Sequence, residues 1–313
     1  MKQIPIVDGI NCSQLVLGSM MLSEEKLDNS IQIMDDFVSF GGNCIDTGHV
    51  YGRSSSRAIG VWLQQRKNRS QIMIIGKGGH PDDEGNNRVT LEDIEQDLHD
   101  TFEWMQTNYV DIFMLHKDDP NQPVGYIMES LNKQLEAGYC RAIGVSNWTT
   151  ERIHEANNYA QSHGLQGLVC SSPNFSLAKP NEPRWAGCVH IDSQDMVWYE
   201  STQLPVFSWS SQAGGFFTGR YNPHNGDSNM IRVYYSDDNW ERNHRAETLG
   251  KIKGASANTI ALGYVLNQSF PTCALIGPHS VEELRSSVQA IDIQLTVEEI
   301  HYLNLEKDIK LSM

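Results

Sequence analysis

Positive charge is scarce in this chain. Its 313 residues include 24 lysines and arginines against 39 aspartates and glutamates, a net charge of −15. Such a surface repels nucleic acid and anionic membranes, so neither is an expected partner. Long apolar runs are also missing. None approaches the roughly 18 residues of a membrane span, and the first residues lack the apolar core of a signal peptide. Cysteine is modest at six residues, none paired as C-x-x-C. Cys12, Cys44, Cys140, Cys170, Cys188 and Cys273 read as reduced core residues of a cytoplasmic protein, not as a disulfide framework. The 11 histidines are scattered, with no H-x-H pair, so no metal centre is expected. No linker, repeat or charge block divides the chain, which reads as one domain over 1–313.

Eight short apolar runs are present instead: Gln14–Leu17, Asn43–Asp46, Ile72–Ile75, Val110–His116, Ala142–Ser146, Leu168–Ser171, Pro205–Trp209 and Ala274–Ile276. Continuous apolar runs suit strands buried on both faces of a parallel sheet. Amphipathic stretches alternate with them: Leu27–Phe40, Ser56–Arg66, Thr90–Gln106, Val124–Ala137, Thr150–Ser162, Asn239–Lys253, Ser280–Ala290 and Thr296–Lys307. Thr90 and Asp93 resemble a capping box, and Gly41, Gly138 and Gly164 are helix stops. Eight alternations in this length predict an α/β fold, the (β/α)8 TIM barrel. The rival doubly wound sheet wants a G-x-G-x-x-G turn after its first strand. Leu17-Gly18-Ser19-Met20-Met21 does not supply one.

In such a barrel, chemistry gathers where strands end. Asp46 ends the second run, Lys77 follows the third and His116 ends the fourth; Tyr51 lies five residues past Asp46. These four types form a proton-relay set suited to reducing a carbonyl with a nicotinamide cofactor. Hydride attack leaves an oxyanion that must be protonated. A phenol near pKa 10 is a poor donor at neutrality unless a nearby ammonium favours the phenolate. Lys77 is expected to lower the Tyr51 pKa, Asp46 to orient Lys77, and His116 to polarise the carbonyl oxygen. Each residue alone has a plainer reading as a cap, a core histidine, a solvated lysine or a packed tyrosine.

From about Gln14 to Leu305 the chain resembles the aldo-keto reductases. The family's D-T-A-x-x-Y reads here as Asp46-Thr47-Gly48-His49-Val50-Tyr51. Its strand-3 lysine matches Lys77, its D-x-x-x-x-H matches Asp111 to His116, and its G-x-S-N matches Gly144-Val145-Ser146-Asn147. The resemblance implies the barrel, the tetrad as catalytic residues with Tyr51 as proton donor, and an NAD(P)(H) cofactor without metal. It also implies a cofactor site. Ser146 and Asn147 would hold the nicotinamide carboxamide, with a helix cap as the plainer reading of Asn147. Trp209 would stack on the nicotinamide ring. Ser210, Ser211, Gln212, Ala213 and Gly214 would hold the pyrophosphate, clamped by Arg220. Gly277, His279, Glu283, Ser286 and Ser287 would meet the adenosine end.

Two departures stand out. Ser172 replaces the family's glutamine in Q-x-x-Y, with Asn174 as a possible compensation. His279 occupies a region where relatives carry arginine or lysine for the 2′-phosphate, although Arg285 is close. NADP(H) is the expected cofactor and NAD(H) the alternative.

Substrate choice belongs to the loops. Gly78–Arg88 is polar and acidic, Ala178–His190 is proline-containing, and Phe216–Trp240 is long and aromatic, read as partly a cover over the cofactor. Little sequence follows the last helix, so no extended C-terminal loop is expected to build a greasy pocket. A small polar carbonyl compound, such as a sugar-derived aldehyde or ketone, is the expected substrate partner. The alternative function is nucleotide sensing, as in the potassium-channel β-subunits that resemble this family. The oligomeric state is not legible.

Overall fold

The computed structural model describes residues 1–308, so 309–313 lie outside the described residues. Strands β1 (Gln3–Val7) and β2 (Ile10–Ser13) form an antiparallel hairpin. Eight further strands follow: β3 (Leu15–Gly18), β4 (Cys44–Asp46), β5 (Met73–Gly78), β6 (Val110–Leu115), β7 (Cys140–Ser146), β8 (Ser171–Ser172), β9 (Val206–Ser208) and β10 (Thr272–Ile276). They pair in parallel and in order, and β10 closes on β3. The expected (β/α)8 barrel is therefore the observed one. Each predicted run supplies one strand. The sixth is the poorest match, because only Ser171–Ser172 keeps strand geometry.

Helices α1 (Leu27–Ser39), α2 (Gly52–Arg66), α3 (Leu91–Met105), α4 (Val124–Glu136) and α5 (Thr150–His163) follow the strands they were read with. The capping box at Thr90 is present, with the hydroxyl accepting from the Asp93 N–H and the Asp93 carboxylate answering the Thr90 N–H. Helices α6 (Ser193–Thr202), α7 (Ser228–Tyr234), α8 (Asp237–Lys253), α9 (Ala257–Leu266), α10 (Val281–Val288) and α11 (Val297–Leu303) complete the ring.

The core has two parts. Between barrel and helices lies one continuous apolar layer that includes Phe37, Trp62, Leu98, Phe113, Ile127, Tyr199 and Tyr264. Inside the barrel lies a second cluster, in which the hairpin residues Ile4, Ile6, Ile10 and Cys12 meet Val16, Cys44, Ile75, Ile112, Met114, Cys170, Phe207 and Cys273. The hairpin thus plugs the N-terminal end of the barrel. Cysteine is small and apolar enough to fill this narrow interior. The six cysteines are free thiols, and all but Cys188 are buried.

The stretch Phe216–Trp240, read from sequence as one long loop, carries helical structure. It contains α7 and the start of α8, and several of its rings pack inward while most of 218–229 is exposed. Phe216, Phe217 and Tyr234 are buried in the outer core, with Phe216 4.6 Å from the Trp240 ring. No helix of the described residues is long and apolar enough to cross a membrane.

Candidate active site

The C-terminal ends of β4, β5 and β6 bring the tetrad together. Asp46 is the last residue of β4, Lys77 lies near the end of β5, and His116 directly follows β6. A 3-10 turn, His49–Tyr51, carries Tyr51 back over them. The Lys77 ammonium donates to the Asp46 carboxylate and, at 3.3 Å, to the Thr47 carbonyl. It lies 5.3 Å from the centre of the Tyr51 ring, which meets the His116 ring edge-on at 5.7 Å. Asp46, Lys77 and His116 are buried and Tyr51 is half-buried.

Gly48 sits among them. A Cβ there would lie 3.3 Å from the His116 ring and 3.4 Å from the Lys77 Cβ, so this glycine leaves the two side chains their room. The turn carrying Tyr51 is pinned from outside. His49 stacks on Trp104 at 5.0 Å and lies 3.0 Å from an Asp100 oxygen and 3.4 Å from an Asp97 oxygen. The buried Asp97 also accepts from the Gly79 N–H and from Arg88, so one carboxylate holds both loops that border the tetrad.

Burial dominates the titration of these groups. It pushes the Tyr51 phenol above its ordinary value, against the pull of Lys77 and with help from Asp46. The expected lowering by Lys77 is present but is outweighed, so the phenol keeps its proton at neutral pH. Burial pulls Lys77 down, yet Asp46 and Tyr51 together hold its pKa above the ordinary value, and it stays an ammonium. His116 is held well below the ordinary histidine range, first by burial and then by the charges of Lys77, His80 and Lys117. It is neutral, and its buried Nδ1 has no partner among the described residues.

The next strand ends form a hydrogen-bonded ledge. Asn147, in the left-handed region at φ 59°, donates to the His116 carbonyl at 3.2 Å and to the Ser146 hydroxyl at 3.0 Å. Its amide oxygen accepts from the Trp209 indole N–H at 3.2 Å. It is not the cap of α5, since Thr149 caps that helix. Ser146 donates to the Ser172 carbonyl at 2.9 Å, and Ser172 donates to the Phe207 carbonyl at 2.7 Å. Asn174 donates to the Trp209 carbonyl at 3.1 Å. These bonds chain β6 to β9 and set the plane of Trp209. The buried Ser208 hydroxyl beside it lacks a partner among the described residues, as do those of Ser19 and Thr47 at neighbouring strand ends.

After β9 the backbone is unusual. Ser210 and Ala213 adopt φ 49°, and Gly214 and Gly215 follow at 63° and 87°. Left-handed non-glycine residues are uncommon, and a run of such turns opens backbone N–H groups into an anion-binding concavity. A Cβ on Gly214 would lie 2.7 Å from an Arg184 guanidinium nitrogen, and one on Gly215 would lie 3.6 Å from an Arg220 nitrogen. Two guanidinium groups beside an unhindered glycine pair suit a doubly charged phosphate linkage. Arg184 escaped the sequence reading. It is the one arginine or lysine between Pro180 and His190, and that was its available signal. Gln212 is half-buried beside this turn. Ser211 is not open to it, because its buried hydroxyl donates to the Leu275 carbonyl at 2.6 Å and ties β9 to β10.

The far end is looser. Gly277, His279 and Glu283 are exposed and Ser286 is half-buried. The Glu283 carboxylate accepts from the His279 N–H at 2.8 Å. Ser287 faces inward, donating to the Glu283 carbonyl at 3.1 Å, so its hydroxyl is not presented at the surface. Arg285 is exposed on the same helix.

The aldo/keto reductase family pattern matches residues 14–305. The chain belongs to the aldo/keto reductase family. An aryl-alcohol dehydrogenase [NADP(+)] of Phanerodontia chrysosporium is 24% identical over 95% of this chain and 83% of its own length. An oxidoreductase of Bacillus subtilis, YrpG, described as uncharacterized, is 25% identical over 95% of this chain and 92% of its own. Norsolorinic acid reductase B of Dothistroma septosporum is 26% identical over 96% and 79%. This aldo/keto reductase is thus an oxidoreductase of a family that works with nicotinamide cofactors on small carbonyl compounds.

Proposed function

We propose that this aldo/keto reductase uses NADPH to reduce an aldehyde or ketone to the alcohol, with Tyr51 as proton donor. The observation that carries the reading is the buried Lys77–Asp46 ion pair under a protonated Tyr51 and beside a neutral His116. When bound, the cofactor supplies the hydride to the carbonyl carbon. Everything else falls to the protein. With Nδ1 of His116 unpartnered, we assign the ring proton to Nε2, because a buried N–H without an acceptor is costly. That N–H donates to the carbonyl oxygen and fixes it near Tyr51. As negative charge grows on the oxygen, the Tyr51 hydroxyl gives up its proton, and the Lys77 ammonium stabilises the phenolate left behind. Asp46 keeps Lys77 charged and fixed in place.

Trp209, held by Asn147 and Asn174, offers an indole face for the nicotinamide. Gly214, Gly215, Arg184 and Arg220 form the pyrophosphate cradle, and the half-buried Gln212 borders it. Ser211 and Ser287 act here as scaffold. His279 and Arg285 are the groups available for a 2′-phosphate, and the NADP named for the Phanerodontia chrysosporium relative supports that choice. NAD(H) is the second possibility.

The rim favours an aryl carbonyl over the sugar-derived one suggested by the sequence. Met20 (60% exposed), Met21 (40%), Val50 (46%) and Trp185 (50%) are large apolar side chains, all on loops that follow barrel strands. Such a collar suits a flat apolar ring. The polar Gly78–Arg88 loop, which places His80 5.2 Å from His116, is the observation favouring a hydroxylated substrate. A panel of benzaldehydes and aldoses with NADPH and with NADH decides. Preference for benzaldehydes with NADPH is expected. Preference for aldoses removes the aryl reading, and binding of cofactor without turnover of any carbonyl favours nucleotide sensing.

A further inference from the structure

Lys117 directly follows His116 and is buried, yet among the described residues no carboxylate lies within 4.0 Å of its ammonium. Instead it donates at 2.9 Å to the Ala186 carbonyl and at 2.9 Å to the Cys188 sulfur. A buried ammonium ordinarily takes a carboxylate partner. Here its charge is aimed at a thiol. Cys188 is half-buried, whereas Cys12, Cys44, Cys140, Cys170 and Cys273 are sealed in the core. It is therefore the thiol open to a small reagent.

The segment around it straps the mouth of the barrel. Trp185 lies 5.5 Å from Trp209 at one side. Asn174 donates its N–H to the Val189 carbonyl at 2.8 Å and accepts from the Ile191 N–H at 3.0 Å, anchoring the strap's far end. Lys117 holds the middle, next to the tetrad.

We propose that Cys188 and Lys117 form a peroxide-responsive redox pair that locks this strap across the active-site mouth. The Cys188 thiolate attacks one peroxide oxygen. An S–O bond forms, the O–O bond breaks, and the departing hydroxide takes a proton from the Lys117 ammonium and leaves as water. This gives a sulfenic acid facing a neutral amine. The amine nitrogen then attacks the sulfur, an S–N bond forms, and the S–O bond breaks with loss of a second water. Sulfur is oxidised by two electrons, peroxide is reduced, and the product is a sulfenamide cross-link. An external thiol reduces it back to thiol and amine.

The test is peroxide treatment of the full chain, followed by non-reducing peptide mass mapping. The expected product is a peptide pair joined through Lys117 and Cys188, two hydrogens lighter than the sum of its parts and cleaved by dithiothreitol. Lys117→Arg keeps the charge but lacks the nucleophilic amine, so it should stop at a sulfenic acid trapped by dimedone. Cys188→Ser should give neither product. In the wild type, carbonyl-reducing activity should fall as the cross-link accumulates and return on reduction, while Cys188→Ser holds its activity through the same treatment. Oxidation of Cys188 to sulfinic acid with Lys117 free overturns the proposal. So does prior oxidation of a core cysteine, or a cross-link that leaves activity unchanged. The mass readout needs no turnover, so failure of the reductase reading would leave the cross-link itself standing.

Discussion

The two ends of the barrel use the same eight strands in opposite ways. At the floor, Ile4, Ile6 and Ile10 from the hairpin close on Val16, Ile75 and Ile112, and the cluster is apolar throughout. At the mouth, the same strands end in Asp46, Lys77, His116, Ser146 and Ser208, buried polar groups of which two, His116 and Ser208, carry an atom without a partner among the described residues. The backbone there is strained as well, with Asn147, Ser210 and Ala213 in the left-handed region. One end is built to hold the barrel shut. The other carries costs that only a bound ligand or a reaction can justify. The comparison teaches where a substitution should register, as lost stability or as lost chemistry.

The largest expected effect breaks that division. Asp46→Asn strands a buried ammonium, so a mouth residue should cost about 3–5 kcal/mol of stability as well as activity. Replacing both partners, Asp46→Leu with Lys77→Met, should recover most of that stability in denaturant unfolding while leaving the protein inactive. At the floor, Ile112→Ala should cost about 2–5 kcal/mol by opening a cavity, with kcat of the folded protein unchanged.

How far the sequence was legible follows the same division. The tetrad was readable because each member stands at or just past the end of an apolar run, and a barrel makes such ends converge. The plug was not, because Gln3–Ser13 is too short and mixed to reveal its direction. Helix α9 was missed because Ala257–Leu266 is apolar on all sides, which leaves no 3.6-residue rhythm. Helix α6 was missed for the converse reason, being short and largely exposed. The aromatic stretch Phe216–Trp240 was read as one loop because α7, with seven residues, is too short to show a helical rhythm. Arg184 reaches Gly214 only through folding, and its one signal, a lone cation between Pro180 and His190, does not say what it approaches. The sign of the Tyr51 shift needed burial as well as neighbours.

Smaller effects sharpen the comparison. Arg184→Ala should weaken NADPH binding by about 1.5–3 kcal/mol, the worth of a charged hydrogen bond, and leave the melting temperature unchanged. Tryptophan fluorescence titration measures it. The smallest effect is in pH. Folded His116 resists protonation, while the unfolded chain regains the ordinary value of 6.5. Below that value the unfolded state takes up a proton that the folded state refuses, so stability falls as pH falls. The slope from this one group is at most about 1.4 kcal/mol per pH unit. His116→Asn should flatten the stability profile below pH 6.5 by that amount, as read from urea unfolding across the range.

The most direct test is single-turnover oxidation of bound NADPH by a benzaldehyde, in the wild type and in Tyr51→Phe. The account predicts equal cofactor binding, equal thermal stability and a rate lower by about 10²–10⁴ in the variant. A Tyr51→Phe protein that reduces the aldehyde at the wild-type rate would place the proton donor elsewhere and contradict the mechanism.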